Sequence, residues 1–162
     1  MTRRLLLPLL IAAAVQPAIA AERWSAAPLK KKSEQLWINV GGVSQHFDNA
    51  TALNQDNFGY GVEYQVDRNR YLVLGAYRNS VNADTRYFGG AWMPLSYKSF
   101  KLGAIAGVAN GYKDMRNGGY FPVILPVLAL EGERVGANFV YIPSIPAKVS
   151  GAVAMQLKYR FN

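Results

Sequence analysis

From residue 36 onward the apolar positions fall in short alternating runs separated by polar turns, with no sustained helical period. Eight such runs can be drawn, at 36–47, 58–66, 71–80, 85–93, 100–108, 123–130, 134–141 and 149–161. The last is the clearest. Val149, Gly151, Val153, Met155, Leu157, Tyr159 and Phe161 make one face, and Ser150, Ala152, Ala154, Gln156, Lys158 and Arg160 make the other. A soluble sandwich would turn that apolar face to its core. A membrane barrel would turn it to lipid and leave the terminal aromatics at the interface.

The links sort by length. Asp67-Arg68-Asn69 and Glu131-Gly132-Glu133 read as tight hairpin turns, whereas 48–57 and 110–120 are long and polar. Alternation of long and short links is the habit of up-and-down transmembrane barrels, and no link is long enough to hold a crossover helix for parallel pairing. The expected fold is therefore all-β, an eight-stranded antiparallel up-and-down transmembrane β-barrel over residues 36–162.

The N-terminus changes the compartment. Arg3 and Arg4 precede an apolar run at 5–15 and the small-residue triplet Ala18-Ile19-Ala20, the layout of a secretory signal peptide cleaved after Ala20. Pro8, Gln16 and Pro17 break the run too early for a membrane-spanning helix. Residues 21–35 form a basic leader with Trp24, Lys30, Lys31 and Lys32; either a short amphipathic interfacial helix interrupted by Pro28 or an extended segment fits. An exported chain with this pattern is expected in the bacterial outer membrane.

Charge and composition narrow the partners. The formal charge of +8 falls to +6 once Arg3 and Arg4 leave, which suits an anionic surface such as phospholipid or lipopolysaccharide. Nucleic acid is not an expected partner, because no recognition motif is present. The chain has no cysteine and one histidine, so neither disulfides nor a metal site is expected, and no cofactor motif occurs. The length fits one domain, expected to act as a monomer.

Candidate chemistry is sparse. His46 lies near the end of the first run and Ser80 at the end of the third, so the up-and-down topology sets both at one rim. His46 as general base and Ser80 as an oriented hydroxyl would make a minimal acyl-transfer pair. A rim histidine that only faces solvent or caps hydrogen bonds is the plain alternative. Pro122, Pro126 and Pro143 cannot donate to a ladder and should mark gaps in pairing, while Pro94 and Pro146 read as strand ends.

The stretch from Tyr120 through Pro122 and Pro126 to Leu130, the Val140-Tyr141-Ile142-Pro143 segment and the run from Leu102 to Val108 resemble the PagP family of outer-membrane lipid A palmitoyltransferases. The resemblance implies a barrel with an internal hydrocarbon pocket that moves an acyl chain from a phospholipid to lipid A. It places His46 on the family's histidine, Ser80 on its serine and Asn79 on its aspartate. Asn79 can hydrogen-bond but cannot supply a carboxylate. The prolines would then be lateral openings for acyl chains. A non-catalytic small outer-membrane barrel with a structural or lipid-binding role is the alternative, and a soluble lipocalin-like binder is a third.

Overall fold

The computed structural model describes residues 35–47 and 52–161, so the expected signal peptide and nearly all of the basic leader lie outside the described residues. Eight strands follow one another: β1 (Gln35–His46), β2 (Gly59–Gln65), β3 (Arg70–Arg78), β4 (Asp84–Tyr97), β5 (Phe100–Ala109), β6 (Phe121–Glu131), β7 (Val135–Ile142) and β8 (Ala152–Arg160). Each pairs antiparallel with the next, and β1 with β8 closes the barrel. Gln35, assigned to the leader by sequence, opens β1 instead.

The β2–β3, β4–β5 and β6–β7 turns sit at one end, here called the lower end, and the longer loops at the upper end. Most strand bounds differ from the sequence reading, by up to four residues, and two of the differences have a local physical reason. Strand β4 runs past Pro94 to Tyr97, because Pro94 falls in a bulge between Trp92 and Leu95, where a missing N–H breaks no ladder bond. Glu131, read as a turn residue, is the last residue of β6, and its side chain enters the barrel.

Large apolar side chains such as Leu72, Leu74, Trp92 and Ile124 stand exposed around the outside, up to 74% for Ile124. A belt of this kind needs lipid rather than water as its solvent. Inside, the lower half is filled. Lys158 sits at the centre, its Nζ 2.9 Å from Glu63 Oε2 and 2.8 Å from Glu131 Oε1, and Lys101 reaches Glu131 at 2.6 Å. Asn39 donates to Glu63 at 2.9 Å, Asn138 donates to the same oxygen, and the Trp37 ring covers the Lys158 ammonium at 4.8 Å. Tyr71, Val73, Ala91, Met93, Val127 and Ala129 pack around this charge-balanced plug.

The β6–β7 seam closes only in its lower part, where pairing runs from Glu131↔Gly136 up to Val127↔Val140 and stops. The reason is in the sequence. Glu131 N–H bonds Ser99 on the β5 side, so odd-numbered β6 amides point to β5 and even-numbered ones to β7. Pro122 and Pro126 therefore lack the amides that would face β7. Continued upward, the register would set Tyr141 against Pro126, Pro143 against Ile124 and Ile145 against Pro122. Every pair that would exchange two hydrogen bonds contains one proline.

Candidate functional site

The upper half of the barrel holds an apolar cavity of about 300 Å³, floored by Glu63, Asn39 and Tyr87. That volume is at the small end of ligand sites. The interior is divided, with charged and aromatic side chains filling it below and the apolar cavity above them.

His46 lines this cavity because of a bulge. Along β1 the odd positions Trp37 and Asn39 face inward, and without interruption His46 would face outward. Gly41, at φ +73°, and Gly42 shift the register against β8 by one step, after which Ser44 and His46 turn inward. A Cβ on Gly42 would lie 2.4 Å from the Asn57 carbonyl oxygen, so glycine there also lets the following loop close over β1.

That loop ties the two candidate residues into one rim. Asn57 accepts from Ser44 Oγ on β1 and donates to the Arg78 carbonyl at the end of β3. Asn54 donates its backbone N–H to the Ser80 carbonyl at 2.9 Å and its amide to the Asn79 carbonyl at 3.2 Å. His46 and Ser80 consequently border the same cavity at the same end. His46 is 5% exposed, and its Nδ1 has no hydrogen-bond partner among the described residues. No described carboxylate lies within ion-pair distance of it.

Asn79 goes elsewhere. Strand β3 ends at Arg78, so Asn79 and Ser80 escape strand alternation. The Asn79 side chain is fully buried in the β3–β4 loop, away from the cavity lining. Its Oδ1 accepts from Val81 N–H at 3.0 Å and Ala83 N–H at 2.9 Å; its Nδ2 donates to Thr85 Oγ1 at 3.1 Å and to the Gly111 carbonyl at 3.0 Å. Both heads of the amide are used to fold the segment that presents Ser80.

Sequence reasoning missed Tyr112. It lies in the long loop between β5 and β6, and its hydroxyl is hydrogen bonded to Ser80 and stands 3.4 Å from the Tyr77 hydroxyl. Burial pushes its phenol above the usual range, with the bonds to Tyr77 and Ser80 pulling the other way, so at neutral pH it remains a proton donor. The loop path that brings it there needs Gly111, at φ +87°, where any Cβ would meet the Asp84 carbonyl oxygen. Nothing in the spacing of residues 110–120 announces that path.

Around β6 the cavity has a second face. Phe121, Val123 and Leu125 line it from inside, and Pro122 and Ile124, which point outward, line it too. The void therefore passes the unpaired edge of β6 and reaches the lipid-facing wall. Groups of three or more metal ligands are absent among the described residues.

No family model matches the sequence, and no curated protein does. Among solved structures the chain is similar to the designed barrel TMB2.3, with a TM-score of 0.59 at 15% identity over 82% of this chain and 99% of that one. A second structure described as de novo design of transmembrane β-barrels gives a TM-score of 0.50 at 14% identity, covering 81% and 99%. The N-terminal β-barrel domain of Pseudomonas aeruginosa OprF gives 0.48 at 13% identity, covering 82% and 100%. At these identities the likeness is one of fold. The chain is a small closed eight-stranded antiparallel barrel of the transmembrane type.

Proposed function

We propose that the protein is an outer-membrane acyltransferase that takes a fatty acyl chain from a phospholipid and passes it to a hydroxyl of lipid A, in the manner of the PagP family it resembles. The observation that carries the reading is the apolar cavity with His46 and Ser80 at its mouth and an unpaired β6–β7 seam at its side. An acyl chain entering past Pro122 and Pro126 would extend down to the polar floor at Glu63 and leave its ester near the rim. There His46, buried and without a hydrogen-bond partner on Nδ1, would take the proton from the attacking lipid A hydroxyl and return it to the oxygen of the departing lysophospholipid as the new ester forms. Ser80, held by Asn54 and bonded to Tyr112, would orient that hydroxyl or the ester.

The test is mass spectrometry of lipid A from cells carrying the wild type, His46→Ala or Ser80→Ala, with heat-modifiable gel mobility as the folding control. The wild type should add one acyl chain, and each variant should lose activity about 10²- to 10⁴-fold while folding normally. Equal modification by all three removes the catalytic assignment. A non-catalytic lipid-binding barrel is the second reading, favoured by one observation: no described carboxylate orients His46, and Asn79 is committed to its loop. Wild-type cells with unmodified lipid A would favour it.

A further inference from the structure

On the outer wall, three rows of facing residues cross β4, β5 and β6 below the upper rim: Phe88–Val108–Pro122, Gly90–Ala106–Ile124 and Trp92–Ala104–Pro126. Strand parity points all nine outward. Ala106 and Ala104 in the middle column, with Gly90 beside them, leave a shallow trough along β5. Phe88 and Trp92 stand on one side, at 58% and 62% exposure, and Ile124 on the other. The void that holds the inner cavity continues past the free edge of β6 to Ile124, Pro122, Val108 and Phe88. The inner cavity thus opens onto the upper end of the outer trough.

At the upper end of the trough the Phe88 and Tyr120 rings meet edge to face at 6.1 Å. Arg86 precedes Phe88 by two residues on the same outward face, and Arg116 Nη1 lies 3.4 Å from the Tyr120 carbonyl oxygen. Both guanidinium groups are exposed, and neither has an acidic partner within 4 Å among the described residues. Two exposed guanidinium groups without an acidic partner among the described residues, flanking an aromatic pair at the upper end of the trough, suit a phosphate group.

We infer that this wall is a binding site for a diacyl phospholipid, with one acyl chain in the cavity, the second in the trough and the phosphate between Arg86 and Arg116. The two apolar arms join where the glycerol would sit, and the cations lie above that junction. A single-chain lipid would fill one arm only. The inference rests on the reading that the cavity takes an acyl chain.

The test titrates the full chain in detergent micelles with phosphatidylglycerol brominated on one acyl chain, reading quenching of Trp92 as the difference from Trp92→Phe. Saturable quenching is expected, with lysophosphatidylglycerol binding at least tenfold more weakly. Arg86→Ala/Arg116→Ala should weaken diacyl binding by about tenfold or more, the scale of a lost charge-assisted contact. Ala106→Phe, which fills the trough, should bring diacyl affinity down to the lyso value. Wild-type affinity in either variant, or equal affinity for both lipids, overturns the site. Displacement by millimolar inorganic phosphate would make it a free-phosphate site, and tighter binding of purified lipid A would make it an acceptor site; each overturns the assignment. Intact binding without lipid A acylation would refute the enzyme alone, whereas acylation that survives Arg86→Ala/Arg116→Ala with unchanged binding would refute this site alone.

Discussion

Replacing Lys158 by Met tests whether the lower plug holds the barrel together. The Lys158 side chain is fully buried, and its Nζ is the only cation within ion-pair distance of Glu63 among the described residues, at 2.9 Å. Glu131, by contrast, keeps Lys101 at 2.6 Å after the substitution. Met matches the length of the aliphatic stem, so packing against Trp37 and Tyr71 changes little, and the cost falls on the uncompensated Glu63 carboxylate. Breaking one side of a buried pair costs about 3–5 kcal/mol. A urea titration of protein folded in phospholipid vesicles, followed by tryptophan emission, should show a loss of about 4 kcal/mol at an unchanged slope. Adding Glu63→Gln to Lys158→Met should recover most of it, since the neutral amide can still bond Asn39 and Asn138. If Lys158→Met alone lies within about 1 kcal/mol of the wild type, the plug is not what stabilises the fold and the reasoning fails.

Two further outcomes follow from the upper half. Replacing Pro122, Pro126 and Pro143 together by Ala restores the three missing donors, so β6 and β7 should pair further upward; resistance to urea should rise while lipid A acylation in cells falls, and unchanged acylation would count against lateral entry. Asn79→Asp should lower stability by about 1–3 kcal/mol, because a carboxylate cannot donate to Thr85 Oγ1 or to the Gly111 carbonyl, which is left unsatisfied. The same variant should not raise acyl transfer, and a gain would restore a direct role for this position.

The count of strands, their antiparallel order and the division into long upper loops and short lower turns were legible in the sequence, because alternation and turn residues are local signals. The outward face of β8 was legible for the same reason, with Val153, Leu157 and Tyr159 exposed and Lys158 inside. The plug was not. Glu63, Glu131 and Lys101 meet Lys158 only through closure of the barrel, and Glu131 carries a turn-like sequence context in Glu131-Gly132-Glu133. The shared rim of His46 and Ser80 followed from topology, but the inward turn of His46 depends on the one-residue bulge at Gly41 and Gly42, which shifts strand phase without changing composition. Asn79 matched the resemblance by position while its hydrogen bonds, made across to the loop after β5, give it a different task.

The plug has a consequence for the empty half. A void inside so small a barrel costs stability, since its lining side chains lose contacts that a filled core would supply. All eight strands that wall the cavity are gripped a few residues lower by one ionic and aromatic lattice, and three of the four seams that meet β6 and β8 continue to the rim. The stiffness of the base is thus what lets a cavity persist at the top: the strands behave as staves hooped at one end, with one seam between two of them left unstitched at the other. Hospitality to a guest chain and resistance to collapse are assigned to opposite ends of the same eight strands.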